Sequence, residues 1–206
     1  AVGMRFDDRV TGNVSKYAKQ AKVIHIDIDA SEINKIIPAD VGIVSDAKAA
    51  LTELSKWCNK SFHTDWRNEF SRLDKLEHEA VINSAVQPTS LELRMSEVIH
   101  LLSEQSKGDL VVVSDVGQHQ MITSRYFKYK QPRTNITSGG LGTMGFALPA
   151  AIGAKLGNPT KKVVAVIGDG GFQMTLQELG TIMQFNIDVK ILILNNNFLG
   201  MVRQWQ

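Results

Sequence analysis

Three apolar runs, each ending in a polar or glycine-bearing cluster, constrain this chain more than any other feature. Leu110–Val113 runs into Ser114-Asp115-Val116-Gly117-Gln118-His119-Gln120. Val163–Ile167 runs into Gly168-Asp169-Gly170-Gly171, and Val189–Leu194 into Asn195-Asn196-Asn197. Continuous apolar strands suit a sheet buried on both faces. Helical patterns separate the runs, and strand, helix, strand, helix, strand predicts a parallel sheet with right-handed crossovers. Ligands of such sheets bind beyond the carboxyl ends of the strands. The three clusters are therefore expected along one edge.

The helix before the first run takes Met95, Val98, Ile99 and Leu102 and ends at Gly108-Asp109. A glycine-rich loop, Ser138–Gly145, leads into a small-residue helix from about Phe146 to Leu156. A further helix is expected over roughly Met174–Phe185. Thirteen of the 16 glycines lie at or after Gly108. Upstream, residues 23–29 alternate as a strand does, preceded by a helix around Val14–Lys19. Ser31 is placed to cap a short helical turn that stops near Pro38. Val41–Val44 predicts a second strand, and Ala47–Trp57 a helix with Ala50, Leu51 and Leu54 on one face. The glycine-free stretch 56–79 is rich in charge and aromatics. It predicts a connector whose Trp57, Phe62, Trp66 and Phe70 dock onto a core. His25 is expected within the first sheet, and His63, His78 and His100 on the surface or connector.

Composition removes several classes. The 206 residues allow one or two domains. A net charge of +2 is too small for a nucleic-acid footprint, so no nucleic-acid partner is expected. A single cysteine, Cys58, leaves no disulfide framework and no multi-cysteine zinc site. No apolar run approaches the roughly 18 residues of a membrane span, so no membrane partner is expected. The opening AVGMRFDDRV lacks the basic leader and apolar core of a signal peptide. Both ends are abrupt, like the edges of a fragment.

The second and third clusters combine as a metal-diphosphate site. Asp169 is a hard carboxylate at a strand end. Gly170 and Gly171 remove side chains where backbone N–H groups approach phosphate. Neighbouring parallel strands lie about 5 Å apart, so Asn196, 27 positions on, can share a cation with Asp169. One carboxylate, one amide oxygen, a carbonyl and diphosphate oxygens suit octahedral magnesium. Gly140-Leu141-Gly142-Thr143-Met144-Gly145 also fits the GxGxxG dinucleotide pattern. However, Arg133–Thr137 is a poor buried strand, and the glycines beside Asp169 suit phosphate rather than ribose. Taken alone, Met144 and Met201 read first as ordinary core fillers. Asp27 and Asp29 fit either ribose contacts or a solvated strand end.

Gly168-Asp169-Gly170 followed about twenty-five residues later by Asn195-Asn196 resembles the thiamine diphosphate motif. GQHQM at 117–121, TSGGLGTMGFALPAAIGA at 137–154 and LNNNFLGMVRQWQ at 194–206 resemble the catalytic large subunits of acetolactate synthases (acetohydroxyacid synthases). RFDDRVTGN at 5–13 and HIDIDASEINK at 25–35 are similar to that family's central domain. The resemblance implies an α/β protein: a parallel-sheet thiamine diphosphate-binding fold preceded by part of a Rossmann-like central domain. Residues 1–55 would be the C-terminal part of the central, FAD-associated domain, and 56–88 a connector. Residues 89–206 would be the thiamine diphosphate-binding domain, truncated at its end.

The implied reaction is condensation of two pyruvates to 2-acetolactate with loss of CO2, or of pyruvate with 2-oxobutyrate, in branched-chain amino-acid synthesis. Asp169 and Asn196 would bind magnesium through side chains, and Phe198 through its carbonyl. Gly168, Gly170 and Gly171 would face the diphosphate, with Val116, Gly117, Gln118 and His119 against the cofactor. Gly142 and Met144 would meet the aminopyrimidine, Met144 as the wedge that bends the cofactor. Gly200 and Met201 would complete the pocket, and Trp205 would line the substrate channel. Arg5, Asp8 and Arg9 would lie near a structural FAD, and Asp27 and Asp46 near its adenosine part. The family's activating glutamate belongs to an N-terminal domain, so no catalytic residue is assigned here and the chain alone is expected to be inactive. The resemblance further implies a homodimer or higher oligomer, a small regulatory subunit, and a cytoplasmic or, in a eukaryote, organellar location. The alternatives are another thiamine diphosphate enzyme of the pyruvate oxidase or glyoxylate carboligase type, or a non-catalytic nucleotide-binding module.

Overall fold

A computed structural model describes residues 1–88 and 92–204. The chain divides into two compact units, Ala1–Arg67 and Asn68–Gln206.

In the first unit, α1 (Asp8–Thr11) precedes β1 (Ile24–Asp27), β2 (Val41–Val44) and α2 (Ala47–Trp57). β1 and β2 pair in parallel with Asp27 opposite Val44. The Asp46 carboxylate accepts the Ala49 N–H and caps α2, as a residue of that type before a helix should. His25 is fully buried, its Nε2 2.9 Å from the Met4 carbonyl, under the edge of the Phe6 ring. Three local expectations are corrected. The segment Val14–Lys19 forms only a 3-10 turn, Val14–Lys16, because Ala18 adopts φ +44°, outside the helical region. Ser31 is not the cap of the next turn: the Asp29 side chain accepts the Ser31 N–H. On α2 only Ala50 is buried, while Leu51 and Leu54 are exposed.

A continuous helical run follows, composed of α3 (Thr64–Glu77), a π-helical stretch His78–Ile82 and α4 (Asn83–Val86). Its aromatics do not dock onto a core. Trp57 and Phe62, which precede this run, and Trp66 and Phe70 within it are all half or more exposed. Trp66, Phe70 and Leu73 share one face of α3, and that face stays open to solvent.

The second unit holds α5 (Met95–Ser106), β3 (Val111–Ser114), α6 (Gln118–Tyr126), β4 (Asn135–Thr137) and α7 (Ala147–Gly157). β5 (Val163–Gly168), α8 (Asp169–Thr175), α9 (Glu178–Gln184), β6 (Val189–Leu194) and α10 (Gly200–Gln204) complete it. The four strands form one parallel sheet in the order β4-β3-β5-β6. β3 and β5 are buried along their whole length. Their alternate side chains feed two cores. Val112, Val164 and Val166 pack with Ile99, Tyr126 and Phe127 on one face. Val111, Val113, Val163, Ala165 and Ile167 pack with Ala147, Leu148 and Ala151 of α7 on the other. Small residues on α7 let that helix lie close to the sheet.

Two boundaries differ from expectation here. A helix begins earlier than Met174, since α8 starts at Asp169 directly from β5. The helix expected over Met174–Phe185 is two helices. Leu179 and Gly180 donate to Leu176 and Gln177, and these i to i+3 bonds tighten the backbone where α8 would otherwise continue. The poor strand at Arg133–Thr137 is real but short. β4 is a partly exposed edge strand, which explains why its sequence lacks a buried-strand pattern.

Candidate functional site

The parallel register brings the polar clusters to one edge. Gly168 pairs with Leu194, so Asp169 and Asn195 leave adjacent strands side by side. Ser114 pairs with Val166, and the Asp115 N–H donates to the Val166 carbonyl at 2.9 Å. β5 thus runs two residues further than β3, and the Asp169 exit is flanked by those of β3 and β6.

Asp115 has no solvent exposure. Its Oδ2 accepts the Gly145 N–H at 3.1 Å, tying the β3 exit to the end of the glycine loop. Gly145 has φ +83°, a conformation that glycine adopts freely, and its carbonyl accepts the Thr175 hydroxyl at 3.1 Å. The loop base is closed by Ser138, whose carbonyl and Oγ accept the N–H groups of Gly142 and Thr143. A side chain at Gly171 would put its Cβ 1.9 Å from Asp115 Oδ2. Gly171 therefore has a packing reason in addition to any approach to phosphate. Sequence alone placed Asp115 at the head of a polar cluster but not among the site residues. The signal that could have found it was the pair of glycines, 145 and 171, that its carboxylate separates.

His119 is 5% exposed and fills the space left by two other glycines. A Cβ at Gly117 would lie 2.6 Å from its Cε1, and one at Gly168 2.9 Å. Burial holds its imidazole below the usual range, opposed by the carboxylates of Asp115 and Asp169 and by a hydrogen bond with the Asp115 backbone. His119 Nε2 and Asp115 Oδ1 are buried without a hydrogen-bond partner.

Around the Asn195–Phe198 turn, the Asn195 side chain accepts the Asn197 N–H at 2.9 Å, and the Asn196 Oδ1 accepts the Phe198 N–H at 3.2 Å. Asn197 sits at φ +59°, a region asparagine tolerates. Phe198 lies under the Arg203 guanidinium, 4.1 Å from the ring centroid. Met144 reaches this edge too, its Cε 3.7 Å from where a Gly170 Cβ would stand.

The structure thus gathers Gly117, Gln118, His119, Gly168, Asp169, Gly170, Gly171, Asn196, Phe198 and Gly200 at the sheet edge, with Val116 on the β3 exit, Met144 beside Gly170 and Met201 on α10. Gly142 stands in the loop, where a Cβ would meet nothing within 4 Å. Trp205 lies outside the described residues. Arg5, Asp8, Arg9, Asp27 and Asp46 belong to the first unit. There the register places Asp27 and Asp46 at one end of the two-stranded sheet, and Arg5 lies between Met4 and Phe6, which both touch His25. The Asp27 carboxylate already accepts the Asp29 N–H, and Asp46 caps α2. Asp8 and Arg9 are exposed on α1.

Among the described residues no group of three or more His, Cys, Asp or Glu side chains is placed to hold a metal ion. Among them, too, no helix is long and apolar enough to cross a membrane.

Two family models match the chain. "Thiamine pyrophosphate enzyme, C-terminal TPP binding domain" covers residues 115–206, and "Thiamine pyrophosphate enzyme, central domain" covers residues 1–54. Over its whole length the chain is 49% identical to the acetolactate synthase large subunit of Lactococcus lactis and 43% identical to the acetolactate synthase isozyme 3 large subunit of Escherichia coli. It is 44% identical to the chloroplastic acetolactate synthase 1 of Nicotiana tabacum. It spans 35%, 36% and 31% of these relatives.

Proposed function

Because the chain belongs to the thiamine pyrophosphate enzymes, we propose that the protein carrying it condenses two pyruvates to 2-acetolactate with release of CO2, or pyruvate with 2-oxobutyrate. The observation that carries this is the β5–β6 register, which sets Asp169 beside the Asn195–Phe198 turn in a chain alike throughout to acetolactate synthase large subunits.

The residues present fit magnesium and a diphosphate. One carboxylate at Asp169, the amide oxygen of Asn196 and the carbonyl of Phe198 form the hard-oxygen set that magnesium accepts. The buried, unpartnered His119 Nε2 and Asp115 Oδ1 mark an edge with polar capacity left over. The open ground at Gly139 and Gly142 leaves room for a flat ring.

When bound, thiamine diphosphate supplies a carbon that takes up the electrons released as pyruvate loses CO2. The chain's own residues bind and orient. Asp169, Asn196 and Phe198 hold the cation; Gly168, Gly170 and Gly171 bring main chain to the diphosphate. Val116, Gly117, Gln118 and His119 line the β3 side, and Gly142, Met144, Gly200 and Met201 enclose the ring. Trp205 belongs to the substrate channel in this proposal. Residues 1–55 serve as part of the central domain, with Arg5, Asp8, Arg9, Asp27 and Asp46 toward a structural FAD. Residues 56–88 connect them to the cofactor domain at 89–206. The same reading extends to a homodimer or higher oligomer, a small regulatory subunit and a cytoplasmic or organellar location.

Calorimetry of the full protein tests it. Thiamine diphosphate binds only with magnesium, binding is lost in Asp169→Ala, and pyruvate gives acetolactate. Binding of ADP or NAD alone would favour a nucleotide module.

A further inference from the structure

A side-chain amide pair joins two strands that are not neighbours. β5 separates β3 from β6. Gln118 opens α6 beyond β3, and Asn196 lies two residues beyond β6. Asn196 Nδ2 nevertheless donates to Gln118 Oε1 at 3.2 Å. The bond links the two exits on either side of Asp169.

The orientation of both amides follows from the main chain. The Phe198 N–H donates to the Asn196 side chain, and only an oxygen can accept it. The Asn196 nitrogen is therefore the atom that faces Gln118, and Gln118 must present its oxygen in return. One lone pair of Asn196 Oδ1 is taken by Phe198 and the other remains. The pair is also packed from the far side. A Cβ at Gly200 would fall 2.2 Å from Gln118 Oε1 and 2.9 Å from Asn196 Nδ2, so any side chain there would push the two amides apart.

We infer that Gln118 is a positioning residue for the cation: by accepting from Asn196 it fixes which way that residue presents its remaining oxygen lone pair. The inference rests on the magnesium site proposed above, and it assigns Gln118 a role exerted through Asn196. Partners of this kind orient metal ligands, and removing one typically costs about 10- to 100-fold in metal affinity.

Manganese, followed by its free-ion paramagnetic resonance signal in the full protein with thiamine diphosphate, is the probe. Gln118→Met is expected to raise the manganese half-saturation about 10- to 100-fold. Gln118→Glu, which still offers an acceptor oxygen, stays close to the parent. Gly200→Ala reproduces the metal defect from the other side of the pair and serves if Gln118→Met fails to fold. Unchanged manganese binding in both Gln118→Met and Gly200→Ala overturns the inference. So does a Gln118→Glu variant as weak as Gln118→Met. Asp169→Ala and Asn196→Ala separate the two levels: if neither weakens manganese binding, the magnesium site itself is wrong and the inference falls with it.

Discussion

The carboxylate of Asp115 and the backbone N–H of Gly145, 30 positions apart, are joined at 3.1 Å inside the protein. The bond sets the height of the glycine loop over the sheet edge. Asp115→Ala removes the acceptor and leaves a buried N–H unpaired, at a cost of about 1–3 kcal/mol. Asp115→Asn keeps an acceptor and costs less. Urea unfolding of the three proteins measures this, and equal midpoints for Asp115→Ala and the parent would count against it.

Gly171→Ala pushes a methyl into that same carboxylate, 1.9 Å from Oδ2. Overpacking of this kind costs about 1–3 kcal/mol or more. Asp115→Gly clears the space, so the double variant should lose less than the two single losses added together. A double-mutant cycle reads the coupling, and strict additivity would show that the two positions do not meet.

Tyr129 carries a buried hydroxyl without a partner, and burial pushes its phenol up to about 12 from 10.0. In the unfolded chain the group ionises near the ordinary value, so the fold keeps its full stability below that pH. It then loses stability as pH rises toward the folded value. Tyr129→Phe should abolish this alkaline loss and be neutral or stabilising at pH 7, since no hydrogen bond is removed. Unfolding midpoints of both proteins across the alkaline range test the expectation. A parallel decline in the two would refute it.

Glu97 is 3% exposed, and Arg94 meets its carboxylate through Nε and Nη2 at 2.9 and 2.8 Å. Arg94→Met removes the guanidinium from a buried carboxylate and leaves the backbone N–H of residue 94 donating to its Oε2. Breaking a buried pair costs about 3–5 kcal/mol, and the partial exposure of Arg94 places this case toward or below the lower end. Chemical denaturation decides it; a change under about 0.5 kcal/mol would mean the pair contributes no more than a surface bridge.

The sheet was legible because its strands are runs of branched apolar residues. Val189–Leu194 and Ala47–Trp57 fall where the sequence predicts them, the second because Asp46 is a strong cap. The parallel order followed from the alternation of strand and helix patterns. What escaped was set by distant partners. The break between α8 and α9 has no proline or glycine to announce it. β4 is an edge strand, and its exposed face erased the pattern of buried residues. The aromatics of 56–79 signalled burial, but their spacing carries no information on what would cover them, and they stay exposed. In the candidate site, Asp169 and Asn196 were legible from chemistry and spacing. Asp115 was not, because nothing local distinguishes a buried carboxylate from the polar residues beside it. The hold of Gln118 on Asn196 spans 78 positions.

His119 occupies the room that side chains at Gly117 and Gly168 would need. Shrinking that ring would open Gly168 to a side chain but not Gly117, whose φ of +155° strains any side chain whatever the space around it. One strand exit is held to glycine by its neighbour, the other by its own backbone.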